Sequence, residues 1–337
     1  MDPQTFSWIG RRVFVTGATG IVGSWLVKRL LDLRAHVVVL VRDWDPQSEL
    51  VRSGDIMRTS VVSGRLEDFA TLERAINEHE IDTVFHLGAQ PIVTTALRNP
   101  LPTFEANIRG SYNLLEACRV HRSIVGRVVI ASSDKAYGDA RTLPYTEEMP
   151  ANGRHPYDVS KSCTDLLAIS YGHTYELPVA VARCGNIYGG GDLNWSRIVP
   201  GTIRSLYFGE RPIIRSNGLF TRDYIFVEDV VDAYLALAER CTDAGVQGEA
   251  FNFSPETRVN VLEITKIIQR LMRREDLEPV ILDQARGEIR DQYLDSSKAQ
   301  ARLGWTARHQ LDAGLAQTIV WYGRFLDSAI GKPALTS

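Results

Sequence analysis

A doubly wound α/β fold, with a parallel central sheet and a smaller C-terminal lobe, follows from three features of this sequence. Short apolar strands alternate with helical periodicities through the first half, a glycine-rich turn separates the first strand from the first helix, and the rhythm breaks after about residue 184. Val13 to Thr16 is a short apolar strand, and Gly20 to Leu33 carries helical spacing at Ile21, Trp25, Leu26 and Leu30. His36 to Val41 is a second strand. Glu67 to His79 is helical, Thr83 to Leu87 is a strand, and Phe104 to Val120 is one long helix offering Ile108, Tyr112, Leu114, Leu115 and Ala117 for packing. Arg127 to Ser132 follows as a strand. After a loop holding Pro144, Pro150 and Pro156, a helix runs from Tyr157 to about Tyr175 and leads into the strand Pro178 to Arg183.

Beyond residue 184, Gly189, Gly190, Gly191, Pro200, Gly209, Pro212 and Gly218 cut the chain into shorter elements. The sequence therefore predicts residues 1–184 as one domain and 185–330 mainly as a second lobe, with residues 222–240 packing back on the first. The helices Val227 to Arg240 and Leu311 to Leu326 are expected to pack against the first domain or bridge the two parts. Ligands of open parallel sheets sit at the carboxyl ends of the strands, here in the cleft between the lobes.

Composition narrows the function. The 337 residues carry 38 Lys and Arg against 41 Asp and Glu, a net charge of -3, which argues against a nucleic-acid or anionic-membrane partner. No apolar run approaches the ~18 residues that span a bilayer, and Met1 to Phe6 shows no basic-then-apolar leader. Cys118, Cys163, Cys184 and Cys241 are scattered without metal-ligand spacing, so no metal site is expected and a reducing, cytoplasmic setting is.

Gly17, Gly20 and Gly23 form G-x-x-G-x-x-G directly after a strand and at the mouth of a helix. Glycine there lets the backbone turn and approach a pyrophosphate, whose charge is favoured at a helix N-terminus. The fold is thus a Rossmann-type sheet binding NAD(P), with Thr19, Ile21 and Val22 completing the loop. The second strand ends Val41-Arg42-Asp43, where an acid suits a ribose diol and a guanidinium a 2'-phosphate. Arginine comes first, which leans towards NADP.

Tyr157 and Lys161 lie four residues apart on a predicted helix and so share a face. A phenol near pKa 10 is a poor base at neutral pH, and an adjacent ammonium is expected to lower that value. Such a tyrosine takes a hydroxyl proton while hydride leaves the same carbon. Ser133-Asp134-Lys135 stands at the end of the preceding strand, with an acid and an amine next to a hydroxyl.

With these motifs, His86-Leu87-Gly88-Ala89-Gln90 and Arg183-Cys184-Gly185-Asn186-Ile187-Tyr188-Gly189, the chain resembles the extended short-chain dehydrogenase/reductases acting on nucleotide sugars. The resemblance runs through Arg222-Asp223-Tyr224 and Leu303-Gly304-Trp305. Ser133-Asp134-Lys135-Ala136-Tyr137-Gly138, Gly88-Ala89-Gln90-Pro91-Ile92-Val93 and Gly190-Gly191-Asp192 look like CDP-glucose 4,6-dehydratase segments, whereas Thr221 to Ile225 is closer to epimerases and other dehydratases. The resemblance implies a nucleoside-diphosphate hexose as substrate and a homodimer built on the helices from Phe104 and Tyr157. It implies Ser133, Tyr157 and Lys161 for oxidation at C4, with Lys161 also on the nicotinamide ribose, and Asp134 and Lys135 for loss of water. Leu66, Leu87 and Ala89 are expected on the cofactor, and Gln90, Asn186, Arg197, Arg222 and Arg290 on the substrate, the last two clamping its diphosphate. His86 is expected to pack beneath the cofactor. A 4-epimerase, which needs no acid and base for water loss, and a non-catalytic cofactor-sensing protein are the alternatives.

Overall fold

The computed structural model describes residues 6–140, 142–284 and 289–329. The first five residues, read above for a leader, and residue 330, the expected end of the second lobe, lie outside them. In chain order the first half holds β1 (Arg12–Thr16), α1 (Ile21–Asp32), β2 (His36–Val41), α2 (Glu49–Arg52), β3 (Ser60–Ser63), α3 (Phe69–Glu78), β4 (Thr83–His86), α4 (Val93–Arg98), α5 (Pro100–Phe104), α6 (Gly110–Val120), β5 (Arg127–Ala131), α7 (Pro156–Tyr175) and β6 (Val179–Cys184). The second half holds β7 (Asn186–Tyr188), α8 (Ile198–Tyr207), β8 (Ile213–Ile214), β9 (Thr221–Phe226), α9 (Val227–Glu239), β10 (Ala250–Phe253), β11 (Arg258–Asn260), α10 (Val261–Met272), β12 (Val280–Ile281), β13 (Asp291–Gln292), α11 (Ser297–Leu303) and α12 (Leu311–Ala329).

Seven strands form the central sheet in the order β10-β6-β5-β4-β1-β2-β3, and every pairing is parallel. Two of these strands were not foreseen. β3 is four residues long with serine at both ends and one buried position, too short to show a pattern. β10 comes from the second half of the chain, beyond the point where the strand-helix rhythm stops.

Alternate strand residues point to opposite faces, and each face builds its own core. Val13, Val15, Val37, Val39 and Phe85 pack with α1 and α9, while Phe14, Val38, Leu40, Val84 and Ile130 pack with α3 and α6. α9 lies directly against α1. Among the described residues no helix is long and apolar enough to cross a membrane.

The helix expected from Phe104 to Val120 is instead α5, a π-helical turn over Glu105–Arg109, and α6. A π turn widens the backbone ladder and leaves carbonyls for other donors. The Asn107 carbonyl takes two, Ser111 Oγ at 2.5 Å and Thr164 Oγ1 of α7 at 2.9 Å.

Parallel register brings Thr16, His86, Ala131 and Cys184, the carboxyl ends of β1, β4, β5 and β6, to one edge of the sheet. Strand order reverses between β1 and β4, which is where such sheets bind ligands. The glycine turn closes this edge by close backbone approach. Gly17 has φ +71°, and a Cβ there would stand 2.6 Å from Gly88 N; one at Gly23 would stand 2.1 Å from Gly17 O. Because that neighbour is backbone, Gly23→Ala is expected to cost about 1–3 kcal/mol of stability and to weaken dinucleotide binding. Urea unfolding with and without added NAD measures both, and an unchanged midpoint would contradict the packing.

Candidate active site

A cleft of ≈ 740 Å³ opens at this strand edge. The glycine turn forms one wall, since Gly17, Thr19, Gly20, Ile21, Val22 and Gly23 all line it, and Arg42, Leu66, Leu87 and Ala89 continue that wall. Gly20 caps α1 with no side-chain hydrogen bond, and no acid occupies the first turn. The first-turn amides of α1 are thus left for an external acceptor, and the donor set fits the pyrophosphate of a dinucleotide.

The opposite wall carries the chemistry. Ser133, Asp134, Lys135, Tyr157 and Lys161 all face the same cleft. Ser133 caps a single 3-10 turn, Asp134–Tyr137, by accepting from Lys135 N. Its Oγ donates to Asp134 Oδ1 at 2.9 Å and its side chain also bonds the Tyr157 hydroxyl. Pro156 starts α7 and so places Tyr157 in its first turn, with Lys161 one turn further on. Lys161 Nζ donates to Ala131 O at 2.8 Å, fixing the ammonium at the end of β5.

Burial governs the charges here. It pushes the Tyr157 phenol up to about 12, and the largest opposing influence is the positive charge of Arg197, with the Ser133 hydrogen bond also opposing it. Burial likewise draws Lys161 down to about 8. The lowered tyrosine expected from Lys161 is therefore not what this geometry shows: both groups are desolvated, and the lysine is turned to a backbone carbonyl.

His86 is buried, its Nδ1 2.8 Å from Thr16 Oγ1 and its Nε2 3.0 Å from Ser111 Oγ. Burial first, and then the positive charge of Lys161, lower it from 6.5 to about 3. Between those values the unfolded chain holds the extra proton, so stability falls as pH drops from about 6.5 towards 3. Thermal midpoints across that range should decline, and His86→Asn should flatten the decline. An identical acid limb in the variant would reject this assignment.

The residues expected on the substrate separate. Asn186, at the start of β7, and Arg197, which caps α8, line the cleft. Arg222 does not: it is buried, and its guanidinium donates to the carbonyls of Thr221, Ile289 and Arg290 at 2.9, 2.7 and 2.8 Å, bracing β9 against the 289–290 segment. Arg290 turns outward, with its side chain 77% exposed. A diphosphate clamp by this pair is not what the fold builds, because one guanidinium is spent on backbone and the other faces solvent. Gln90 also misses the cleft wall, its amide folding back to bond Ile92 while Asn107 holds its backbone.

Other residues reach the cleft without having been singled out. Asp192 holds Arg197 at 3.0 Å, and Tyr224 and Tyr234 close the floor. An acid directly after three glycines and five residues before an arginine was the available signal for the first; Tyr224, on β9, stood in the Arg222-Asp223-Tyr224 motif, and Tyr234, on α9, had no signal. At the cofactor end Arg42 Nε bonds Asp43 Oδ2 at 2.6 Å.

A parallel sheet with a glycine cradle at its switch point, facing a serine, tyrosine and lysine across one cleft, defines an extended short-chain dehydrogenase/reductase. Within that class the chain belongs to the GDP-mannose 4,6 dehydratase family, whose profile matches residues 14–318. A CDP-glucose 4,6-dehydratase from Salmonella typhimurium is 32% identical, with 94% of this chain and 91% of that protein covered. Among solved structures, the UDP-glucose 4-epimerase of Thermotoga maritima with UDP-glucose superposes with a TM-score of 0.84 at 27% identity, over 94% of this chain and 99% of that one. The dTDP-glucose 4,6-dehydratase of Streptomyces venezuelae with NAD and TYD bound gives 0.83 at 25% identity, over 93% and 97%.

Proposed function

We propose that this chain is a nucleotide-sugar 4,6-dehydratase, converting a CDP-glucose-like nucleoside-diphosphate hexose to the 4-keto-6-deoxy sugar. One observation carries the reading: Asp134 and Lys135 enter the cleft on the turn capped by Ser133, whose side chain bonds Tyr157. An acid and an amine thus stand beside the residues for C4 oxidation, where a 4-epimerase needs neither. A bound nicotinamide supplies the hydride acceptor for C4 and the donor for C6. Ser133 orients O4, and Tyr157 takes the O4 proton with the positive charge of Arg197 offsetting the phenolate. The 4-keto group acidifies C5, Lys135 takes the C5 proton, and Asp134 delivers a proton to O6 as it leaves as water. Asn186 and Arg197 are the polar groups placed to hold the nucleotide sugar.

In this reading residues 1–184 hold the cofactor and 185–330 mainly the substrate. The cofactor is NAD rather than the NADP that Arg42 alone suggested, because Asp43 already neutralises that guanidinium. Mass spectrometry of the small molecules released on denaturation separates the two. Tyr112 of α6 and Leu166 of α7 are exposed large apolar side chains, which supports a homodimer through those helices; solution mass checks it.

Incubation with CDP-, GDP-, UDP- and dTDP-hexoses tests the activity. A 4-keto product lighter by one water is expected. A mass-neutral inversion at C4 would establish the epimerase that the Thermotoga structure represents.

A further inference from the structure

The two halves of this chemistry sit on different elements, and the fold must hold them in register. Tyr157 and Lys161 ride on α7, while Asp134 and Lys135 ride on the turn ending at Tyr137. A continuous buried polar chain joins them from beneath. Asp165 of α7 takes Arg183 of β6 in a two-pronged pair, Nε to Oδ2 at 2.8 Å and Nη2 to Oδ1 at 2.6 Å. The remaining Arg183 nitrogen, Nη1, donates to the Tyr137 hydroxyl at 2.7 Å, and the guanidinium carbon stands 4.6 Å from the centre of the Tyr137 ring. That hydroxyl donates in turn to Asn252 Oδ1 of β10 at 2.7 Å, and Asn252 Nδ2 donates to Tyr145 O at 3.0 Å. Tyr145 returns to the catalytic turn, stacking on the Tyr137 ring at 4.8 Å and donating its own hydroxyl to Gly138 O at 2.6 Å. All five side chains are buried.

We propose that Arg183, Tyr137 and Asn252 are positioning residues that lock the Asp134 and Lys135 turn to α7, so that loss of water depends on them more than oxidation does. This rests on the dehydratase reading. Apolar side chains would fill the same space without the cost of desolvating an ion pair, so the pair is not explained by packing alone. A fully satisfied buried network instead fixes one geometry, because each member has a single low-energy partner arrangement. The oxidation pair has a support of its own in the Lys161 bond to Ala131 O, and Tyr157 meets the turn at its capping residue, Ser133. The elimination pair has this network at the far end of its turn. Tyr137 matters most, since its one hydroxyl is both the acceptor for Arg183 and the donor to Asn252.

Tyr137→Phe keeps the ring, the stacking and the cation contact, and removes only the link. Steady-state turnover is followed with substrates deuterated at C4 or at C5. The variant is expected to lose about tenfold in kcat, with the C5 isotope effect growing and the C4 effect shrinking, because the elimination has become the slow step. Tyr145→Phe, which cuts the bond to Gly138 O, is expected to move the same way and serves if Tyr137→Phe does not fold. A merely structural contribution lowers the amount of folded enzyme and leaves both isotope effects at their wild-type values; that result overturns the proposal, as does unchanged turnover. Failure of the unaltered protein to release water from any nucleotide hexose overturns the dehydratase reading and this inference with it.

Discussion

Tyr157→Phe should lower turnover by about 10²–10⁴-fold while leaving the fold intact. The hydroxyl is the group that takes the O4 proton in the proposed reaction, and its side-chain hydrogen bond is to Ser133. Phenylalanine fills the same buried space in the first turn of α7, so the thermal midpoint should stay close to that of the parent. Product formation measured beside thermal unfolding checks this. Turnover within a few-fold of wild type would remove Tyr157 from the chemistry, whereas a cellular function unchanged by loss of turnover would give weight to a protein that keeps the cofactor cleft for sensing.

Asp134→Asn should separate two steps that wild type performs together. With Lys135 still available as the base at C5, solvent deuterium should enter C5 of recovered substrate, while water loss falls by about 10²–10⁴-fold because the departing O6 lacks its proton donor. Asparagine keeps an oxygen to accept from Ser133 Oγ, so the turn itself should survive. Mass spectrometry of recovered sugar and product in deuterium oxide reads both outcomes. Water loss at the wild-type rate would move the acid elsewhere in the cleft. Loss of C5 exchange together with dehydration would make Asp134 the base at C5 and exchange its role with that of Lys135.

Much of the framework was legible in the chain because its signals are short-range. The His36–Val41 strand matches residue for residue, and α7 begins one residue before the expected Tyr157, at Pro156. The Tyr157 and Lys161 spacing, and the glycines set between β1 and α1, are statements about neighbours, and helix and strand geometry convert them directly into positions. The π turn at Glu105–Arg109 escaped because apolar periodicity looks the same across it; what opens the helix there includes hydroxyl donors to the Asn107 carbonyl, one of them 57 residues away.

Residue type and approximate place determined which side chains could do the chemistry, and that inference needed only the sequence. Tertiary structure decided which of them meet. Arg222 and Arg197 are the same chemical group, yet one is consumed by three backbone carbonyls and the other faces the cleft under the hold of Asp192. Tyr137 and Asn252 are 115 residues apart, and nothing local joins them. Burial, too, exists only once the chain is folded, and it is burial that raises Tyr157 and lowers Lys161 where their spacing alone suggested a simpler pair. Local geometry follows from covalent neighbours, whereas desolvation and the choice of hydrogen-bond partner depend on everything that packs around a group.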